Sequence, residues 1–197
     1  MELTDWVRSQ LPQPPARVLE VGCGAGELAR ALAKDGHDVL AIDPVAPDGP
    51  IFRRTTIEEL GEPGPFDAVV ASRSLHHVHD LDAVLAKLAR LAPLLVLNEF
   101  AWDRFDGPTA RWYDEHRAHS AKPPPPASEW RRRHDDLHGF DTLRTALERR
   151  FLEQEFSFVP YLSRYLHLPE LEAHEAELIA AGRINALGFR YVGVARD

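Results

Sequence analysis

The sequence predicts an α/β fold in which strands of a mostly parallel sheet alternate with covering helices, and three observations carry that prediction. Arg17 to Pro44 reads RVLEVGCGAGELARALAKDGHDVLAIDP: an apolar run from Val18 to Val21 ends in a glycine turn, a helically spaced set (Leu28, Ala29, Leu32, Ala33) stops at Gly36, and a second apolar run ends in Asp43. Leu94 to Leu97 is apolar throughout, as expected of a central strand covered on both faces. Just before it, Leu81, Val84, Leu85, Leu88 and Leu91 share one side of a helix stopped by Pro93.

The glycine turn has chemical consequences. Glycine lacks a Cβ, so Gly22, Gly24 and Gly26 can take positive φ and let a ligand lie against the backbone, while the following helix offers unpaired N–H groups and a positive dipole end. Asp43, at the carboxyl end of the next strand, borders the same crevice with two acceptor oxygens suited to a pair of ribose hydroxyls. A nucleoside is the expected guest. Glu20 ends an apolar strand, where an unpaired carboxylate is costly, so a ligand ammonium reached directly or through water suits it. A dinucleotide fingerprint wants its third glycine where this chain has Glu27. The competing explanations are a ligand-free turn for the glycines and a turn cap before Pro44 for Asp43.

LEVGCGAGELA followed by AIDP resembles the class I S-adenosylmethionine-dependent methyltransferases. The resemblance continues through FDAVVASRSLHHVHD (Phe66 to Asp80), similar to the family's fourth strand and following turn, and LLVLNEF (Leu94 to Phe100), similar to its fifth. It implies a Rossmann-like, doubly wound, seven-stranded sheet, parallel but for an antiparallel last strand, with a helical insertion after strand five. It also implies S-adenosylmethionine as cofactor and S-adenosylhomocysteine as product. The implied contacts are Glu20, the loop Gly22, Cys23, Gly24 and Gly26, Asp43 with Pro44 beside it, and backbone carbonyls near Ala71 and Ser72 accepting from the cofactor's ammonium. Adenine contacts fall to TIEEL, where Thr56 stands in place of the family's usual acid, followed by Ile57 and Glu58. Glu58 is either a substitute acid or an exposed helical glutamate. The Asn-Pro-Pro-Tyr type motif of DNA and protein-amide methyltransferases is absent after the fourth strand, which points to a small-molecule acceptor.

Composition bounds the rest. With 197 residues, 44% hydrophobic and 27% charged, the chain suits one domain with a sizeable core. Its net charge of −8 argues against non-sequence-specific nucleic-acid binding. One cysteine and no long apolar run lead us to expect a soluble, cytoplasmic protein, as monomer or homodimer, without a membrane or metal partner.

The elements follow in order. Residues 1–15 form a short amphipathic helix with Leu3, Trp6, Val7 and Leu11 on one face, Trp6 being either core or ligand contact. Residues 16–100 are the cofactor-binding core. In it, Pro44, Pro47 and Pro50 replace the family's second crossover helix with a loop, Ile51 to Thr55 is the third strand, Ile57 to Leu60 a helical turn, and Phe66 to Ala71 the fourth strand. Residues 101–136 are the insertion: a helix from Asp106-Gly-Pro-Thr, the stiff KPPPPAS tract, and a second helix capped by Ser128. It is either a substrate cover using Trp102, Trp112, Tyr113 and His116, or a flap packing its aromatics into the core. Residues 137–197 complete the sheet with a helix over Leu137 to Phe151, a strand over Phe156 to Val159, a helix over Glu170 to Ala181 and a closing strand over Phe189 to Ala195, with Tyr161, Tyr165 and His167 as pocket candidates at that edge.

Histidine titrates near physiological pH, so His77, then His116, with His76 as His77's neighbour, are the candidate general bases; in the family a histidine at this turn commonly braces the loop. The spacing of His76, His77 and His79 is too tight for convergent metal ligation. The expected activity is methyl transfer to an oxygen, nitrogen or carbon of a small organic molecule. A non-catalytic cofactor-binding module and an NAD-type oxidoreductase are the alternatives.

Overall fold

The computed structural model describes residues 1–61 and 63–196. Its strands are β1 (Arg17–Val21), β2 (Asp38–Ile42), β3 (Phe52–Arg53), β4 (Ala68–Ser72), β5 (Leu94–Phe100), β6 (Phe151–Val159) and β7 (Gly188–Ala195). They form one sheet in the order β3-β2-β1-β4-β5-β7-β6. Strands β1 to β5 pair in parallel, and β7 runs antiparallel between β5 and β6. This is the doubly wound sheet with one reversed strand that the sequence leads one to expect.

Strand alternation explains why the central strands carry apolar residues on both faces. Leu19, Val21, Val69, Ala71, Leu95 and Leu97 point to one face, where α3 (Leu81–Leu91) and α6 (Phe140–Arg150) cover them. Val18, Ala68, Val70 and Val96 point to the other, under α1 (Leu3–Gln10) and α2 (Glu27–Lys34). Trp6 is core there: it is 1% exposed, its Nε1 donates to Glu155 Oε1 at 2.9 Å, and Arg190 stacks over it at 4.9 Å. A third cluster joins α4 (Gly107–Arg117) and α5 (Trp130–His134) to α7 (Leu162–Tyr165) and to the segment between α8 (Glu172–Ala180) and β7.

Several boundaries differ from expectation for identifiable reasons. β3 is two residues rather than Ile51 to Thr55, because it is an edge strand paired only with β2 at Ala41↔Phe52 and Ile42↔Arg53. β6 starts at Phe151, five residues early; its polar LEQE stretch pairs with β7 on the outer edge, where no buried face imposes alternating apolar residues. The turn after Thr56 closes with one bond, Leu60 N–H to Thr56 O at 3.0 Å, and Lys87 Nζ caps its carbonyls, with Ile57 O at 2.7 Å. Among the described residues no helix is long and apolar enough to cross a membrane.

Candidate active site

Parallel pairing places Ile42, Val21, Ala71 and Leu97 in one row across β2, β1, β4 and β5. One residue on, Asp43 and Gly22 have left the sheet while Ser72 and Asn98 are still paired, so the carboxyl ends of β2, β1 and β4 lie side by side. The chain leaving β1 enters α2 on one face and the chain leaving β4 goes to α3 on the other, so the loops diverge and a crevice opens between them. It holds a cavity of about 350 Å³, in the range of small-molecule sites, whose lining includes Gly22, Asp43, Pro44, Thr56, Ile57, Glu58, Arg73, Ser74 and His77. A larger cavity of about 600 Å³ lies in the α3–α6 groove, lined by His79, Asp82, His138 and Arg149 among others, away from the converging strand ends.

The three loop glycines do different jobs. All have positive φ, at +78°, +51° and +77°. A Cβ on Gly22 would stand 2.5 Å from Ser74 Cβ, so this glycine lets β1 close against the turn after β4. Gly26 is the left-handed cap of α2, and its Cβ would stand 2.4 Å from the Phe52 ring. Gly24 faces nothing within 4 Å, which leaves its backbone open to a ligand. Gly26 and Cys23 thus serve the loop's packing, and of the four loop residues Gly22 alone lines the cavity. The Cys23 thiol is pushed up to about 12 by burial and by the charges of Glu20 and Asp43, so it stays protonated and is no nucleophile.

The flanking carboxylates differ. Asp43 accepts from Gly24 N–H at 3.0 Å and Val45 N–H at 2.9 Å, one bond to each oxygen, which leaves a lone pair on both. Glu20 is 3% exposed and stands behind the loop rather than in the cavity lining. Among the described residues its Oε2 has no hydrogen-bond partner. Burial raises it to about 7, against the Ala29 backbone N–H and together with the Asp43 charge. An orphaned buried carboxylate oxygen beside an open glycine backbone fits a nucleoside that carries a cationic group.

Past β4, Arg73 adopts φ +51° and donates its N–H to Asn98 O at 2.8 Å. Glu99, fully buried, accepts from Ser74 N–H (2.7 Å), Leu75 N–H (2.6 Å) and Phe100 N–H (2.9 Å), and pairs with His76 Nδ1. Burial pushes Glu99 up, but the His76 charge and these bonds outweigh it and hold the carboxyl below the usual range. His76 is therefore a brace locked onto Glu99 and not a free base. Its neighbour His77 lines the cavity, and partial burial, reinforced by His76, lowers its pKa, so the ring is neutral at physiological pH with a lone pair available. His116 is spent elsewhere: Nδ1 bonds Trp112 O at 2.8 Å and the ring stacks on Trp112.

The insertion's aromatics pack on one another. Tyr113 is 1% exposed and donates to Pro125 O at 2.7 Å, and Trp102 Nε1 donates to Leu137 O at 3.2 Å. Trp112, Tyr113 and Trp130 form the third cluster with Phe100, Leu162, Leu166 and Leu187. Trp102, Trp112, Tyr113 and His116 are absent from the crevice lining, as are Ala71 and Ser72; Ser72 O lies 3.6 Å from where a Cβ on Gly22 would sit. Sequence reasoning missed Arg73, Ser74 and Glu99. Glu99, an acid between the apolar run Leu94 to Leu97 and Phe100 of the same strand, is the one that carried a signal.

Known proteins agree with this architecture. A family model described as a methyltransferase domain matches residues 2–156. The ubiquinone biosynthesis O-methyltransferase of Xylella fastidiosa (strain 9a5c) is 37% identical over 103 residues, which are 44% of this chain and 42% of that protein, so the chain spans less than half of the curated relative it matches. An S-adenosylmethionine-dependent methyltransferase from Mesorhizobium loti superposes with a TM-score of 0.61 at 19% identity, over 98% of both chains. The N-methyltransferase NodS from Bradyrhizobium japonicum WM9, solved in complex with S-adenosylhomocysteine, gives 0.59 at 15% identity over 98% of this chain and 85% of its own. These two share the fold. With the family model covering most of its length, this chain belongs to the methyltransferase domain family.

Proposed function

We propose that this chain transfers the methyl group of S-adenosylmethionine to an oxygen, nitrogen or carbon atom of a small organic molecule. The observation that carries this is the open Gly24 backbone bonded to Asp43, together with the orphaned oxygen of Glu20 two residues before the loop. Oxygen leads among acceptor atoms, because the Xylella relative is named an O-methyltransferase. We read residues 1–197 as one domain, acting as monomer or homodimer, and its single cysteine suits the cytosol.

The bound cofactor supplies an already activated sulfonium methyl, so the protein's share is positioning and dryness. Asp43 retains a lone pair on each oxygen for the ribose hydroxyls. Val21, Ile42, Ile57 and Val78 give the crevice apolar walls that exclude water. The Ile57 and Glu58 backbone borders the space for the base. His77, neutral and at the wall, takes the proton released when an O–H or N–H nucleophile attacks. Equilibrium titration with S-adenosylhomocysteine and NAD, followed by methyl incorporation from labelled donor into an extract, tests the proposal. Preference for NAD overturns it, and tight S-adenosylhomocysteine binding without incorporation favours the non-catalytic module.

A further inference from the structure

Arg73 lines two cavities. One is the crevice; the other, about 310 Å³, is lined by Arg73, Lys122, Tyr161, Arg164, Tyr165 and His167, with Pro124 at its side. The chain carries 31 Asp and Glu against 23 Lys and Arg, yet this lining holds three permanent cations and no carboxylate. None of the ion pairs among the described residues uses Arg73, Lys122 or Arg164. The buried Glu99 carboxylate acts on Arg73 from behind the lining but is itself paired with His76, and Arg164 repels Arg73, a cost that an anionic ligand would reduce.

The cavity is also built rigidly. Among the described residues, the non-glycine positions with positive φ are Arg73 (+51°) and His167 (+56°), and both line it. Such backbone strain persists where surrounding structure enforces it and concentrates at functional sites. Enforcement is visible here. Glu175, 0% exposed, accepts from Tyr161, Leu162 and Ser163 N–H at 2.8, 2.9 and 2.8 Å and so pins α7, which carries Arg164 and Tyr165. Tyr161 stacks on Phe100 at 4.3 Å, and its hydroxyl, pushed up to about 12 by burial, stays protonated as a donor.

We propose that the methyl acceptor is a small organic anion whose carboxylate or phosphate is held by Arg164, Lys122 and Arg73 in this cavity, while its nucleophilic atom reaches the crevice past Arg73. This rests on the methyl-transfer reading above. Guanidinium groups bind either anion with paired N–H donors, and Tyr161 and Tyr165 flank the ligand with aromatic surface.

The test titrates the full chain, loaded with S-adenosylhomocysteine, with benzoate, phenyl phosphate and neutral benzamide, in the wild type and in Arg164→Glu and Lys122→Glu. Both substituted side chains are exposed, so the variants should fold. We expect at least one anion to bind about tenfold or more tighter than benzamide, and each charge reversal to weaken it about tenfold while S-adenosylhomocysteine affinity stays within about twofold. Binding of benzoate alone assigns a carboxylate, and of phenyl phosphate alone a phosphate; either supports the proposal. Benzamide binding as well as both anions, no binding of any probe, or anion binding indifferent to both reversals overturns it while leaving methyl transfer standing. Failure of the wild type to bind S-adenosylhomocysteine takes both down.

Discussion

Glu20 makes cofactor binding depend on pH in a calculable way. In the free protein its carboxyl is raised from 4.5 to about 7, chiefly by burial, so near neutrality about half the molecules hold it protonated. A ligand ammonium, direct or through water, favours the ionised form and must expel that proton. The apparent dissociation constant then scales as 1 + 10^(pKa − pH), rising about tenfold from pH 8 to pH 6. The α-ammonium of S-adenosylhomocysteine sits next to its own carboxylate, which favours the charged form, and so keeps its charge across this range. Calorimetry in buffers of differing ionisation enthalpy should find about half a proton released per ligand near pH 7. Glu20→Gln removes the titrating group, so its affinity should be weaker at pH 8 and flat down to pH 6. The same shift acts on folding. A raised folded-state pKa contributes stability fully present below the ordinary carboxylate range and lost as pH rises through about 7, so the free wild type should gain stability relative to Glu20→Gln on acidification across that window. A pH-independent wild-type affinity, or a pH-dependent Gln variant, would refute the assignment of Glu20 to the ammonium.

Other expectations follow from single contacts. Gly26→Ala places a Cβ 2.4 Å from the Phe52 ring at φ +77°, and should cost about 3 kcal/mol, a Tm lower by about 10 °C in a thermal melt; Gly24→Ala meets no neighbour and should cost about 1 kcal/mol while weakening S-adenosylhomocysteine binding. Glu99 is held below the usual range, so its contribution is present above the ordinary carboxylate pKa and lost as pH falls through its folded value; acid unfolding of Glu99→Gln should lose that portion of the pH dependence. His77→Gln should leave S-adenosylhomocysteine affinity unchanged and cut methyl incorporation into an O–H or N–H acceptor by about a hundredfold or more, with undiminished incorporation excluding His77 as base.

Much of the chain is legible from its sequence because the signals are local. Strand-turn-helix patterning around Gly22 to Gly26, the apolar run at Leu94, and the one-sided leucines of Leu81–Leu91 each depend on residues a few positions apart. The edges were less readable. The second half of β6, Phe156 to Val159, reads as a strand, but its first half is polar because an outer strand buries little there, so pairing with β7, not its own pattern, makes that half a strand. Histidine roles were ambiguous for a related reason: His76 and His77 are adjacent and chemically identical, and only Glu99, 23 positions after His76, separates a brace from a free base.

From its own residues, then, the chain determined the parallel core, the glycine loop with its flanking acids, and the crevice where the strand order reverses, since backbone conformational preference and hydrophobic periodicity act within a helix turn or a strand. Tertiary structure alone decided that the insertion's aromatics fold onto α7 and the segment before β7 instead of into the crevice, and that Arg73, Lys122 and Arg164 meet at one cavity. These contacts join residues up to about ninety positions apart, and which distant surfaces meet is settled by the packing of the whole domain, which no local pattern encodes.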